Sequence, residues 1–439
     1  MSDLYVVVGL GATGYSCARY LKAQGYPVAV TDSRLDPPFL APLQKDYPDL
    51  PIALGELSAS LLAKASCIVL SPGLALSHPS IAPHVKRVPV IGDIELFAKI
   101  VKVPVVGITG TNAKSTVTTL LGKMAEASGL RTAVGGNLGT PVLDMLSDSL
   151  DLFVLELSSF QLETTYSLQL SSSTILNVTP DHMDRYHSLR NYQEAKLRIY
   201  DHSEVVVCNR DDPLTFCEHL VKKQFYFTLK TPGRNEFGLL KQGNETYLAF
   251  ENEPLLAVSA LPITGKHYQA NALASLALGV SIGLPMKAML ETLCTFQGLP
   301  HRCQFVRERN SVKWYNDSKG TNVGATLAAI EGLGSEISGK IVLIAGGVGK
   351  NADFHLLNQG MKYVRHVVLI GEAAHDIATV ISGSVPISFA KSMEEAVHQA
   401  NQHAVSQDSV LLSPACASFD MFSNYAHRGD VFMGIVKTL

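Results

Sequence analysis

The chain has 439 residues, of which 46% are hydrophobic and 17% are charged, and its formal net charge is −3. This length exceeds what one hydrophobic core supports and predicts two to four domains, and the composition excludes a largely disordered chain. The small net charge gives no electrostatic basis for binding nucleic acid or an anionic membrane.

Signals of export are absent from the sequence. The N-terminus lacks the basic segment of a signal peptide, and no apolar run is as long as a membrane span. The seven cysteines are odd in number and include no Cys-x-x-Cys pair, so most are expected to be small core residues in a reducing compartment. We therefore predict a cytoplasmic protein.

The first predicted strand, residues 4–8, leads into a glycine-rich turn. Gly9, Gly11 and Gly14 have the spacing of a dinucleotide-binding fingerprint, and a second predicted strand delivers Asp32. Taken alone, this pattern indicates NAD, with the carboxylate on a ribose hydroxyl. The same glycines let any diphosphate approach a helix N-terminus, so the pattern does not decide between a dehydrogenase and another nucleotide enzyme. The second predicted strand spans residues 27–31, and further strands of this region are predicted at 67–70 and 88–91.

Residues 107–119 carry a second phosphate-binding pattern. An apolar strand feeds a small-residue turn, after which Lys114 and Ser115 open a helix. Backbone N–H groups and the helix dipole face an anion there, the lysine adds charge, and the serine hydroxyl can hold Mg²⁺. Ala113 stands where a standard phosphate loop has glycine, and we expect this position to avoid a positive φ.

Polar residues follow the next two predicted strands, which span residues 152–157 and 175–178. Glu156 lies near the end of the first, where the metal of a nucleotide is usually held. Asp181, His182 and Asp184 follow the second strand, where His182 within a cluster of aspartates is a candidate ligand. The alternative for the two aspartates is that they cap the next helix. Lys196 falls in a helical pattern and, on propensity alone, is a solvated lysine.

Strand–helix alternation continues to the C-terminus and predicts parallel, doubly wound sheets. A helix is predicted over residues 270–282, and Asn271 at its start has a cap as its simplest role. The last region begins near Gly298. There the segment ending in Asp317, Lys319 and Thr321 forms a second polar cluster directed at an anion. Strands are predicted at 340–345, 367–370 and 409–412.

Seven segments, in one order, resemble the Mur ligase family over essentially the whole chain. They are residues 110–116, 155–162, 177–185, 195–200, 298–302, 316–322 and 411–418. The resemblance implies three α/β domains: a Rossmann-like UDP-substrate domain (1–93), a central P-loop ATP-binding domain with a parallel sheet (94–297) and a Rossmann-like amino-acid-binding domain (298–439). It also implies a monomeric ATP-dependent ligase that adds D-glutamate to UDP-N-acetylmuramoyl-L-alanine through an acyl phosphate, in peptidoglycan precursor synthesis.

The resemblance assigns residues to ATP and Mg²⁺. The ATP-binding set is Gly110, Thr111, Asn112, Ala113, Lys114, Ser115, Thr116, Asn271, Arg302 and Asp317. One Mg²⁺ is held by Ser115 and Glu156, and a second by His182 and by Lys196 as a carbamate. The catalytic set is Lys114, His182, Lys196 and Lys319.

The resemblance also assigns residues to the other two substrates. The UDP-substrate set is Ala12, Thr13, Asp32, Ser33, Arg34, Ser71, Gly73, Asn137 and His182. The D-glutamate set is Lys319, Thr321, Lys350, Ser418 and Tyr425. Tyr425 replaces a common phenylalanine at a position where a main-chain contact is expected. We expect the C-terminal domain to close on the central one about residues 298–300, because an acyl phosphate must be kept from water.

Three alternatives remain. Another amino-acid ligase of the same superfamily, such as a folylpolyglutamate synthase, would lack the N-terminal UDP-type domain. An NAD-dependent dehydrogenase accounts for the first fingerprint but gives no task to Lys114, Glu156, His182 and Lys319. A nucleotide-gated regulator would bind ATP without turnover.

Overall fold

The computed structural model describes residues 3–216, 223–263 and 265–439, and Cys217 lies outside these ranges. The described residues form three sheets of five, nine and six strands. Four of the six cysteines within these ranges are buried, as expected of small core residues. Within the same ranges, no helix combines the length and the apolar character needed to cross a membrane.

The N-terminal sheet is parallel throughout, with strand order β3-β2-β1-β4-β5. Its strands are β1 (Tyr5–Val8), β2 (Val28–Asp32), β3 (Ile52–Leu54), β4 (Cys67–Leu70) and β5 (Val90–Ile91), and its helices are α1 (Ala12–Ala23), α2 (Leu40–Asp46), α3 (Ala59–Lys64) and α4 (Asp93–Ala98). Buried valine-rich strands and crossover helices of this kind build a doubly wound sheet.

The central sheet has the order β14-β13-β12-β11-β10-β9-β6-β8-β7. Its strands are β6 (Val105–Thr109), β7 (Thr132–Gly136), β8 (Leu152–Glu156), β9 (Leu170–Ile175), β10 (Ser203–Asn209), β11 (Lys223–Phe227), β12 (Glu236–Gln242), β13 (Glu245–Phe250) and β14 (Glu253–Ala257). Its helices are α5 (Lys114–Ala127), α6 (Ser159–Glu163), α7 (Met183–Tyr186), α8 (Leu189–Leu197), α9 (Lys266–Ser281) and α10 (Met286–Thr295). The phosphate-binding helix α5 packs with α9 and α10 on one face of this sheet.

The C-terminal sheet has the order β15-β16-β20-β17-β18-β19. Its strands are β15 (Gln304–Arg309), β16 (Val312–Asn316), β17 (Ile341–Gly346), β18 (Val364–Ile370), β19 (Ile387–Phe389) and β20 (Ser409–Leu412). Its helices are α11 (Val323–Gly334), α12 (Ala374–Ile381), α13 (Met393–His403) and α14 (Tyr425–Thr438). Two apolar clusters made only of residues beyond 300 cover its two faces, so this sheet has a core of its own.

The parallel α/β organisation is confirmed, but two parts of it differ from the sequence prediction. Strand β12 still pairs parallel with β11, but β13 and β14 add an antiparallel extension beyond it, and β15 pairs antiparallel with β16. The strand predicted at 175–178 is wrong, because β9 covers Leu170–Ile175. Its sequence contains three serines, of which Ser172 and Ser173 are fully buried. Hydroxyl pairing with Ser281 and Ser203 replaces the apolar contacts that a pattern search looks for.

Candidate active site

The three sheets present their binding loops at the carboxyl ends of neighbouring parallel strands, where open α/β sheets hold ligands. In the first sheet these are the loops after β1, β2 and β4. In the second they follow β9, β6, β8 and β7, and in the third they follow β16, β20 and β17.

The phosphate loop lies between β6 and α5. Ala113 has φ 67°, so the expectation that it avoids a positive φ is wrong. An alanine pays a steric cost in this left-handed conformation that glycine does not. The Lys114 ammonium donates to the carbonyl oxygens of Gly110 and Thr111, both at 2.8 Å, and Thr111 N donates to Asn177 O at 2.9 Å. The loop is therefore held to the segment that follows β9.

Glu156 ends β8 beside this loop, and its side chain is 3% exposed. Asn137 Nδ2, from the loop after β7, donates to Glu156 Oε1 at 2.6 Å, whereas Glu156 Oε2 is buried and has no hydrogen-bond partner among the described residues. Burial by itself would raise the pKa of this carboxyl, but the Lys114 ammonium, together with Ser115 and Asn137, holds the pKa below its usual value. An ionised oxygen without a partner beside a phosphate loop is a donor suited to a hard cation.

Lys196 is not the solvated helix lysine that propensity predicts, because only 1% of the residue is exposed. Its Nζ donates to Gly110 O at 2.9 Å and lies 4.4 Å from the centre of the Tyr192 ring. Burial, followed by the charge of Lys114, lowers the pKa of Lys196 well below its usual value. Two lysine side chains thus share the carbonyl oxygen of Gly110.

His182 occupies the turn between β9 and α7 in a left-handed conformation, with φ 57°. Asp181 Oδ1 accepts from His182 N at 2.9 Å, and no side chain caps α7, so capping is excluded for both Asp181 and Asp184. The rings of His182 and Phe160 meet edge to face, with centroids 4.8 Å apart. Burial lowers the pKa of His182 despite the opposing effect of Asp181, which keeps the imidazole neutral near pH 7.

Side chains of the C-terminal region reach the central loops directly. Arg302 Nη2 donates to Ser115 Oγ at 2.9 Å, and Lys350 Nζ lies 3.6 Å from Asp181 Oδ1. Asn322 Nδ2 donates to Asn112 Oδ1 and to Asp181 Oδ2, both at 3.1 Å. No local pattern predicts this role of Asn322. Its local role is to cap α11, whereas its partners Asp181 and Asn112 lie 141 and 210 residues away along the chain.

The proposed D-glutamate residues follow three neighbouring strands of the C-terminal sheet. Lys319 Nζ lies 3.9 Å from the centre of the Tyr425 ring, and burial, followed by the Arg302 charge, lowers the pKa of Lys319 to about 8. Ser418 is 2% exposed. The main-chain oxygen of Tyr425 accepts from Ser318 Oγ at 2.7 Å. Thr321 N donates to Lys319 O at 2.8 Å, which closes a tight turn after β16.

A cavity between the central and C-terminal regions is lined by six of the residues assigned to ATP, namely Asn112, Ala113, Thr116, Asn271, Arg302 and Asp317. Asn271 lies in the second turn of α9, which begins at Lys266, so the alternative that it is only a cap is wrong. Asp317 accepts from Cys303 N at 3.1 Å and from Ser413 Oγ at 2.6 Å, and burial raises its pKa to about 6. The walls combine apolar surface with a few polar groups, as small-ligand sites do.

The first sheet carries the other glycine-rich turn. Gly9 has φ 94°, and a Cβ on Gly14 would strike the Gly9 carbonyl, so both positions require glycine. Asp32 Oδ2 accepts from Leu10 N at 2.6 Å and Arg34 Nη2 at 2.7 Å, and Oδ1 accepts from Arg34 N at 2.8 Å. These bonds outweigh the effect of burial and lower the pKa of Asp32 to about 2. Both carboxylate oxygens therefore accept hydrogen bonds within the loops after β1 and β2.

The structure thus brings Lys114, Ser115, Asn137, Glu156 and Lys196 together around the phosphate loop, with His182 on the adjoining loop. The other residues predicted to bind the UDP-substrate lie at the carboxyl edge of the first sheet; they are Ala12, Thr13, Asp32, Ser33, Arg34, Ser71 and Gly73. Within residues 3–216, 223–263 and 265–439, no three histidine, cysteine, aspartate or glutamate side chains form a metal-binding group. A cation here would need oxygen ligands from the nucleotide as well, which is how Mg²⁺ is commonly bound.

Comparisons with known proteins agree along the whole chain. Three family models match in order: Mur ligase MurD-like, N-terminal domain (3–92), Mur ligase middle domain (108–279) and Mur ligase, glutamate ligase domain (301–416). The UDP-N-acetylmuramoylalanine–D-glutamate ligase of Pseudomonas syringae pv. tomato is 52% identical, covering 100% of this chain and 99% of its own. The ligase of the same name from Nitrosococcus oceani is 50% identical, covering 99% and 96%.

Solved structures share the fold at lower identity. The UDP-N-acetylmuramate–alanine ligase of Thermotoga maritima has a TM-score of 0.62 and 21% identity, covering 99% of both chains. The MurF ligase of the same organism, in complex with ADP, has a TM-score of 0.64 and 18% identity, covering 100% of this chain and 94% of its own.

Proposed function

The chain belongs to the Mur ligase family, and we infer that it is the ATP-dependent ligase that joins D-glutamate to UDP-N-acetylmuramoyl-L-alanine in peptidoglycan precursor synthesis. The observation that carries this function is the meeting of two regions at one phosphate loop. Arg302 bonds to Ser115, and Asn322 bonds to Asn112 and Asp181. A dehydrogenase needs no such junction, and a folate ligase does not account for the match of residues 3–92.

The reaction has to make a carboxylate electrophilic. ATP phosphorylates the L-alanyl carboxylate to an acyl phosphate, the D-glutamate amine attacks the carbonyl carbon, and the tetrahedral intermediate expels phosphate as the amide forms. Both phosphoryl donor and acceptor are anions, so fixed positive groups have to offset their repulsion. We propose that Lys114 contacts the ATP phosphates, that Arg302 and Asp317 bind other parts of the nucleotide with Asn271, and that Lys319 lies where charge develops.

The residues present fit a magnesium-dependent reaction. Glu156 Oε2 is buried and, in the part of the chain that the structure describes, has no hydrogen-bond partner, and Ser115 lies at the start of α5 beside it. We propose that Ser115 and Glu156 hold one Mg²⁺, and that His182 and a carbamate on Lys196 help to hold a second. Such ions would screen the phosphate charges and polarise the oxygens between donor and acceptor.

Lys196 supports the carbamate through its surroundings. Its Nζ is enclosed by a ring face and one carbonyl oxygen, and the described residues give it no carboxylate partner. A buried ammonium without a counter-ion is costly. The neutral amine adds to CO₂ and loses a proton, which gives an anionic oxygen ligand on a long stem.

The remaining assignments are also proposals. We propose domain boundaries of 1–93, 94–297 and 298–439, the UDP-substrate and D-glutamate sets given above, and closure about residues 298–300. A single chain supplies every one of these sets, which supports a monomer. ATP and UDP-linked substrates are cytoplasmic metabolites, which supports a cytoplasmic reaction.

We expect phosphate release from ATP to require both UDP-N-acetylmuramoyl-L-alanine and D-glutamate. The amine must reach the acyl phosphate, and a pocket of fixed cations and hydroxyls orients only one enantiomer of a dicarboxylic amino acid. A coupled phosphate assay run with D-glutamate, L-glutamate and neither measures this. Equal release with both enantiomers, or none with either, would contradict the assignment.

We expect titration calorimetry to show binding of UDP-N-acetylmuramoyl-L-alanine and no binding of NAD. The two phosphate sites of this chain are both needed by the proposed reaction, one for ATP and one for the UDP-linked substrate. Gly14→Ala should abolish the UDP-substrate heat, because the added Cβ meets the Gly9 carbonyl, whereas Gly434→Ala, which meets nothing, should leave it unchanged. Micromolar NAD binding without UDP-substrate binding would reverse the conclusion.

A further inference from the structure

Arg185 joins the N-terminal sheet to the loop that carries His182. Its Nη1 donates to Pro72 O at 2.9 Å, and its Nη2 lies 3.3 Å from Leu74 O and 2.5 Å from Glu163 Oε2. The guanidinium carbon lies 3.9 Å above the centre of the Phe160 ring. We call Arg185, Glu163, Phe160 and the carbonyls of residues 72 and 74 the arginine clasp.

The clasp is largely shielded from water. The Arg185 and Glu163 side chains are 13% and 18% exposed, unlike the nearby Arg190–Glu194 pair, whose side chains are 84% and 57% exposed. Exposed pairs contribute little, whereas a shielded guanidinium that binds two carbonyls, a carboxylate and a ring face fixes the geometry of all its partners.

The segment that carries Arg185 has little local stability of its own. Helix α7 has four residues and lies between His182 and His187, which both adopt left-handed conformations. No side chain caps its N-terminus. So short a helix does not persist without tertiary contacts, and the contacts of Arg185 with Pro72 and Leu74 reach the N-terminal sheet.

The two ends of the clasp adjoin residues that we assign to the UDP-substrate and to the second Mg²⁺. The loop after β4 packs against the glycine-rich turn, where the nearest atom to a Cβ on Gly9 is Ser71 Cβ. At the other end, the Phe160 ring meets His182 edge to face. Glu163 ends α6, the short helix that starts three residues after Glu156.

We propose that Arg185 is a positioning residue that couples occupation of the UDP-substrate loop, residues 71–74, to the placement of His182. The coupling rests on the proposed function, since it requires the UDP-substrate to bind at the first sheet. When that substrate orders residues 71–74, the guanidinium transmits their position to α7. The carboxylate to be phosphorylated and the His182 side chain then reach their working geometry together.

Hydrogen exchange on the full-length enzyme, with and without saturating UDP-N-acetylmuramoyl-L-alanine, tests the coupling. In the wild type we expect the substrate to protect both residues 9–14 and residues 180–188. In Arg185→Met, residues 9–14 should stay protected while the protection of 180–188 is lost. The kcat should fall about a hundredfold, the usual consequence of misplacing a reacting group by an ångström, with the KM for D-glutamate unchanged. Arg190→Met is the matched control and should behave as the wild type.

Two further variants keep the test decisive. Arg185→Lys retains the charge but not the two-pronged contact, and should lose protection of 180–188 even if Arg185→Met does not fold. Glu163→Gln leaves both carbonyl contacts and should lower kcat less than Arg185→Met. Wild-type protection of 180–188 in Arg185→Lys would overturn the coupling alone. Absence of protection at 9–14 in the wild type would overturn the UDP site, and the coupling with it.

Discussion

Replacing Lys196 by alanine is expected to lower kcat by about a thousandfold, the upper range for loss of one preorganised group. The side chain is buried, and its Nζ contacts Gly110 O and the Tyr192 ring, so the amine faces the phosphate loop. Alanine removes the oxygens that a carbamate would supply. Lys287→Ala is the control, since that lysine side chain is 88% exposed and forms an exposed pair with Glu291.

Chemical rescue separates a lost ligand from a damaged fold. Acetate or formate should restore part of the activity of Lys196→Ala by placing a carboxylate in the vacated space. The wild type supplied with ¹³CO₂ should show a carbamate carbon signal that is missing from the variant. Full activity of Lys196→Ala, or an unmodified lysine in enzyme loaded with Mg²⁺, would leave Lys196 with a packing role only.

Glu156→Gln is expected to lower kcat about a thousandfold and to weaken the dependence on Mg²⁺. The amide oxygen of glutamine can still accept from Asn137, so the shape of the site is retained while the charge is lost. The carboxylate charge offsets the charge of Lys114. Its oxygen Oε2 has no hydrogen-bond partner in the described part of the chain. Steady-state rates measured over a Mg²⁺ titration report both effects.

A second buried glutamate provides the control. Glu236 starts β12, is 3% exposed and pairs with Arg210 at 2.8 Å, and it belongs to none of the residue sets proposed for the substrates or the metal. Glu236→Gln should lower the melting temperature without changing kcat per folded enzyme. An unchanged kcat and Mg²⁺ dependence in Glu156→Gln would show that the carboxylate holds no cation.

The sequence predicted those parts of the site that depend on local signals. A strand, a small-residue turn and Lys-Ser at a helix start identified the phosphate loop, and a carboxylate at the end of the neighbouring strand identified Glu156. The burial of Lys196 was missed because helical periodicity does not reveal which distant segment covers a face. The left-handed Ala113 was missed because the hydrogen bonds between Thr111 and the segment after β9 fix the loop, and these bonds are tertiary.

Residues that contact two of the three sheet regions are even harder to predict from sequence. Asn322 looks like a helix cap, Arg185 like a surface arginine and Asp181 like a cap, because each has an adequate local role. Their second roles depend on contacts between different sheet regions, and a local sequence pattern carries no information on such contacts. The serine-rich strand β9 was not predicted because it is not an apolar run. Its buried Ser172 and Ser173 hydroxyls are satisfied by the hydroxyls of Ser281 and Ser203.

The separate core of the C-terminal sheet has an evolutionary consequence. Since the apolar clusters on its two faces contain no residue before 303, this unit can change its binding loops without altering the strands that hold the phosphate loop. If the proposed D-glutamate set is correct, selection for a different amino acid would act on the segments around Lys319, Lys350 and Ser418 and leave the phosphate loop unchanged. Duplication followed by divergence of this one unit is a short route from one amino-acid-adding enzyme to another.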